Sequence, residues 1–139
     1  MGKLKEKKFR ALISNIPVVT DYVNEELERV GVSMKTEMQI DVAVDEIFTN
    51  IASYSYSPET GDAVVRVQIL EDPLRLEVTF IDQGIPFNPL LRKDPDTTLS
   101  LEQRQIGGLG IFLVKKSMDE VLYEYKDSSN ILTIRKNLS

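Results

Sequence analysis

Hydrophobic and polar positions along the chain switch between two periods. Residues 8–14, "KFRALIS", alternate, with Phe9, Ala11 and Ile13 apolar against charged or exposed neighbours, and predict a strand. Asn15 then precedes Ile16 and Pro17, a cap followed by a proline that a first helical turn tolerates. The helix predicted there carries Val18, Tyr22, Leu27 and Val30 on or near one face and stops at Gly31. Ser33 opens a longer helix through "TEMQIDVAVDEIFTNIASYSY", in which Ile40, Val44, Ile47, Phe48 and Ile51 recur at helical spacing and should face a sheet. After the loop "SPETG" come two strands, "AVVRVQIL" and "RLEVTFID", joined by a turn at Glu71, Asp72 and Pro73. A long polar stretch, Gly84 to Gln105, leads to a helix over Leu109 to Met118, and the strands "VLYEY" and "ILTIRKNL" follow, around "KDSSN". Strands joined mostly by hairpins, with helices grouped together, predict an α+β fold. Its form is a two-layer α/β sandwich with a mixed, mostly antiparallel sheet and helices on one face.

Composition narrows the chemistry. A chain of 139 residues, 42% hydrophobic and 28% charged, is sized for one domain spanning residues 1–139 with a proper core. It holds no cysteine and no histidine, so disulfides, thiolate or imidazole zinc sites and histidine acid-base catalysis are excluded. The net charge of -5 argues against a nucleic-acid partner, whose electrostatic footprint would be basic. The locally positive "MGKLKEKKFR" lacks the apolar core of a signal peptide, and no later apolar run is long enough to span a bilayer. A soluble cytoplasmic protein is expected.

Three groups of residues stand outside the core pattern. Glu46 and Asn50, four apart, share a helical face distinct from the apolar stripe. Taken alone they are an ordinary solvated pair. Asp82 ends a strand and is followed by Gly84, which suits either a loop cap or an acceptor aimed at a ligand. Gly107, Gly108 and Gly110 put three glycines in four positions against a helix start, where glycine costs conformational entropy. Close approach of a ligand to the backbone would justify that cost, and the amides of a helix N-terminus attract anions.

In order and spacing, "DEIFTNIASYSY", "IDQGIPFNP" and "IGGLGIFLVKKSMDEV" resemble the asparagine box and the two glycine boxes of the GHKL ATP-binding superfamily. The closer resemblance is to the anti-sigma-factor serine kinases, and it extends over nearly the whole chain. It implies a Bergerat-type ATP-binding fold with ATP and Mg²⁺ as cofactors. By resemblance Asn50 supplies an amide oxygen to Mg²⁺, and Glu46 accepts the proton of an attacking hydroxyl. Asp82 takes the exocyclic amine of adenine, with Gly84 leaving space for the ring. Gly107, Gly108 and Gly110 let amides approach the phosphates, and the segment before them acts as a lid. Thr133 matches a position that helps hold a water or amide in the adenine site. Arg104, just before the glycines, is placed to neutralise charge on the terminal phosphate.

One departure is Tyr54, where many relatives carry histidine. With no histidine present, the proton acceptor must be a carboxylate. The implied function is a protein-serine kinase acting on an anti-anti-sigma (STAS) partner or regulating a sigma factor, with a homodimer among the expected partners and no nucleic acid or membrane involved. The alternative is a nucleotide-gated module that sequesters a sigma factor or other regulator without significant kinase activity. A sensor histidine kinase is disfavoured, because the chain has no histidine to phosphorylate.

Overall fold

Alternation is strongest in the middle of the chain. Ala63, Val65, Val67 and Ile69 on strand β2 (Asp62–Leu70) and Leu76, Val78 and Phe80 on β3 (Arg75–Asp82) point to one face of the sheet and are buried. The computed structural model describes residues 4–56, 59–91 and 108–138. With β1 (Lys5–Arg10), β4 (Glu120–Lys126) and β5 (Ser129–Asn137), they form a five-stranded sheet in the order β1-β2-β3-β5-β4.

Every strand pair among the described residues is antiparallel, where a mixed sheet was expected. The connections explain why. Between β1 and β2 run two helices, α1 (Ile16–Val30) and α2 (Met34–Asn50), which return the chain to the end of the sheet it left. Strands β3 and β4 do run in the same direction across the crossover through α3 (Gly108–Ser117), but β5 lies between them and pairs antiparallel with both. That last hairpin turns on Asp127 and Ser128, at φ 53° and 61°, the two left-handed positions of a tight two-residue turn.

The helices cover the apolar face. Ile40, Ala43, Val44, Ile47 and Phe48 of α2 are buried in the core, as is Ile51 in the π-helical turn Ile51–Ser55 that continues it. Ser33 caps α2 by accepting the Thr36 amide at 3.2 Å, and Gly31 ends α1 at φ 75°. Helix α1 buries Val19, Val23 and Leu27, at strict i, i+4, i+8 spacing; Leu27 was expected, and Tyr22 and Val30 pack partly buried against the core, but Val18 is 49% exposed and Val19 turns inward instead. Strand β1 also lies earlier than the alternation placed it, at residues 5–10 rather than 8–14, so Phe9 and Ala11 are buried but Ile13 is not. Nor does Asn15 cap α1. Its side-chain amide donates to the Arg10 carbonyl at 2.9 Å, tying the helix entry to the end of β1.

One side chain locks the end of α2 to the sheet. The Tyr56 hydroxyl donates to the Asp62 carbonyl and accepts from the Gln83 amide, both at 2.7 Å. Its ring lies so close to Gly61 that a Cβ there would come within 2.4 Å of ring carbons. Tyr56→Phe deletes both bonds while keeping the ring, and should cost about 1–3 kcal/mol of stability. Urea denaturation measures it, and an unchanged midpoint would show that the clamp contributes nothing.

Candidate functional site

The inward rows of the sheet end in polar residues. On β3, Phe80 is followed two positions later by Asp82; on β5, Leu132 is preceded two positions earlier by Asn130. Asp82 and Asn130 are direct cross-strand partners, and both are almost fully buried. The Asn130 amide nitrogen donates to Asp82 Oδ1 at 3.0 Å and to the Ile85 carbonyl at 2.9 Å. Its oxygen accepts from the Phe87 amide at 3.1 Å and from the Tyr123 hydroxyl. Every hydrogen-bonding position of that amide is therefore used, as burial requires. Asp82 Oδ1 also accepts the Gly84 amide at 2.9 Å, whereas Oδ2 has no donor among the described residues. Among the described residues, then, one oxygen of this buried carboxylate is committed to the fold and the other is not.

Asp82 lines a partly enclosed cavity together with Asn50, Ser55, Phe80, Phe87 and Asn130. Its free volume for water-sized molecules is about 30 Å³, and Phe87 and Pro89 form part of its wall. A purine is several times larger than a water molecule, so the cavity as it stands is too small to hold one. At Gly84 the backbone is pressed against the π-helical turn: a Cβ there would lie 2.2 Å from the Ser55 carbonyl oxygen, which accepts the Ile85 amide at 2.9 Å.

Glu46 lies one turn before Asn50 on α2, beside the start of α3. A Cβ on Gly110 would sit 2.0 Å from Glu46 Oε2, so the missing side chain is what admits this carboxylate between the helices. Burial, and after it the charge of Asp45, holds the Glu46 carboxyl above the ordinary glutamate range. Among the described residues no cluster of three or more acidic, histidine or cysteine side chains would hold a metal by itself. A cation at Asn50 would need phosphate and water oxygens for most of its coordination, which suits Mg²⁺.

Thus Asp82 and Asn50 line one cavity, with Gly84 beside Asp82 and with Glu46 and Gly110 meeting nearby at the α2–α3 contact. Gly108 begins α3, while Arg104 and Gly107 lie outside the described residues, as does the expected lid beyond residue 91. Thr133 goes elsewhere. Period two turns it to the sheet face opposite the helices, where its hydroxyl lies 3.3 Å from that of its cross-strand partner Thr79. The positions on β5 that face the cavity are Asn130 and Leu132, of which Asn130 is the polar one. Its place was readable from alternation with Leu132 and Ile134, as was that of Tyr123 on β4, but neither had been singled out. Tyr54 is exposed.

The sequence pattern of the histidine kinase-like ATPase domain matches residues 9–136. The chain belongs to that family. A serine-protein kinase RsbW of Listeria monocytogenes is 32% identical over 109 residues, which span 75% of this chain and 68% of that protein. The RsbW of Bacillus mycoides is 26% identical over 137 residues, 91% of this chain and 84% of the relative. Among solved structures, the RsbU and RsbW domains of Rv1364c from Mycobacterium tuberculosis superpose with a TM-score of 0.68 at 15% identity, over 98% of this chain and 32% of that one. The histidine kinase domain of the blue-light activated kinase EL346 from Erythrobacter litoralis gives 0.55 at 16%, over 91% and 60%. These likenesses establish the fold expected of a histidine kinase-like ATPase domain. No helix among the described residues is long and apolar enough to cross a membrane.

Gly84 and Gly110 should respond differently to alanine. At Gly84 the added carbon meets fixed backbone, so Gly84→Ala should cost about 1–3 kcal/mol. At Gly110 it meets the flexible end of Glu46, and the gain in helix propensity, about 1 kcal/mol, offsets the disturbance. Gly110→Ala should therefore fold normally with Glu46 displaced. Denaturation midpoints of the two variants decide, and equal losses would contradict this account.

Proposed function

We propose that this histidine kinase-like ATPase domain is a Mg²⁺-ATP-dependent protein-serine kinase that phosphorylates an anti-anti-sigma (STAS) partner and so acts as an anti-sigma regulatory factor. The observation that carries the reading is the half-free Asp82 carboxylate in a cavity shared with Asn50, with Glu46 one turn away on the same helix. The relatives named serine-protein kinase RsbW support the choice of a protein hydroxyl as acceptor.

Each residue then has a separate task. Asp82 Oδ2 accepts from the adenine amine while Oδ1 stays bound to Gly84 and Asn130, so purine recognition uses an acceptor held rigidly by the sheet. The Asn50 amide oxygen contributes one ligand to Mg²⁺, and bound Mg²⁺ supplies neutralisation of the developing phosphate charge. The amides at the start of α3, with Gly107 and Arg104 before it, receive the phosphates. Glu46 takes the proton of the attacking serine hydroxyl as that oxygen bonds to the γ-phosphorus and the bond from the γ-phosphorus to the bridging oxygen breaks, leaving ADP. A desolvated carboxylate is a stronger base than a solvated one, and the burial of Glu46 fits that use.

Calorimetry should show Mg²⁺-dependent ATP and ADP binding, weakened by Asp82→Asn and stripped of its metal dependence by Asn50→Ala. Absence of heat at millimolar nucleotide would remove the reading. Glu46→Gln should bind nucleotide nearly as the wild type does, yet lose phosphoryl transfer by a factor of about 10² or more. Equal loss of binding in that variant would make Glu46 structural.

The pH profile gives an independent check. A base works only when deprotonated, so activity should rise with pH through the Glu46 pKa, at a midpoint above the ordinary glutamate range. Asp45→Asn removes the neighbouring charge and should move that acid limb to lower pH. A limb that stays in place in Asp45→Asn would assign the titration to another group.

A further inference from the structure

The outer face of α2 is not what a solvated helix surface should be. Met34, Met38 and Val42 form an i, i+4, i+8 stripe and are 77%, 60% and 44% exposed. Leu113 of α3, 44% exposed, lies across from them, and together they line a groove of about 720 Å³ between the helices. A contiguous apolar groove is a place where something docks, and methionine surfaces adapt to the shape of an incoming side chain.

Charge says what kind of partner fits. The charged residues lining the groove are Lys35 and Lys116, both positive, in a chain whose net charge is -5. Among the described residues no carboxylate lines it, although α2 carries Glu37, Asp41, Asp45 and Glu46. Direction adds a second constraint. Gly110, at the start of α3, abuts Glu46 near the end of α2, while Leu113, Lys116 and Ser117 line the groove with Met34, Met38 and Val42. Helix α3 therefore runs back along α2, and Val42, at the groove's inner end, is one helical turn from Glu46.

We propose that the α2–α3 groove docks an acidic amphipathic helix of the protein partner, laid apolar side down between Met38 and Leu113 with its carboxylates toward Lys35 and Lys116. This is the helix-in-groove mode, with charge selecting the partner and apolar anchors supplying the affinity. That the docked helix presents its acceptor serine to Glu46 rests on the kinase reading above; the docking itself does not.

Two lactam-bridged helical peptides with the same leucine stripe, one with glutamates and one with lysines on the polar face, are titrated by fluorescence anisotropy against the full chain. The glutamate peptide should bind saturably, and the lysine peptide at least 10-fold more weakly. Met38→Asp, at an exposed position, should weaken the glutamate peptide at least 10-fold, and the double variant Lys35→Glu, Lys116→Glu should reverse the preference. Nucleotide calorimetry should be unchanged in all of these variants, so a failed kinase reading would leave the peptide result standing. Equal binding of both peptides, or none, overturns the proposal. So does a groove closed by a second copy, visible as a dimer in sedimentation that Met38→Asp splits while neither peptide binds the wild type.

Discussion

The hydrogen bond between Asp82 and Asn130 is the constraint around which this structure is arranged. A buried carboxylate is costly unless its oxygens are partnered, and a buried amide is costly unless all its positions are used. One cross-strand pair meets the amide's condition in full and the carboxylate's through Oδ1, and it also takes hold of Gly84, Ile85, Phe87 and Tyr123. The segment leaving β3 is thereby fixed by polar groups at the point where the sheet's apolar rows run out. Had these rows ended in valine and leucine, the core would have continued to the rim and no polar cavity would exist there.

Fold and site were legible to different degrees. The inner faces of β2 and β3 and the stripe of α2 could be read directly, because a strand or helix buried along its full length carries the period of its own backbone. Strand β1 was less legible since it is an edge strand with a single buried position, Phe9, and one residue does not define a period. Helix α1 shows the same weakness from the other side: Val18 and Val19 are both valine, and only packing decides which turns inward.

Within the site, residue type was a better guide than position. Glu46, Asn50 and Asp82 stood out as polar groups outside the apolar pattern; Asn50 and Asp82 line one cavity, and Glu46 lies one turn from Asn50 on α2. Thr133 was placed on the cavity side by resemblance, but strand parity sends it to the other face. Asn130 escaped notice because it sits beside a turn, where asparagine needs no explanation. Its role appears only when strand register sets it opposite Asp82, a non-local fact that no single stretch of sequence contains.

The glycines carry the same lesson into mechanism. Gly110 could be read as space for a phosphate, yet in the described structure that space admits Glu46. These readings are compatible if the carboxylate and the phosphate occupy that space in turn. Two anions crowded there would repel, so phosphate entry would move the carboxylate outward along α2, toward Val42 and the inner end of the methionine-lined groove. A partner seated in that groove would in turn exclude water from the displaced carboxylate and raise its proton affinity further. One contact would then present the acceptor hydroxyl and strengthen the base that deprotonates it. Base strength in the free protein would in that case understate its value in the complex.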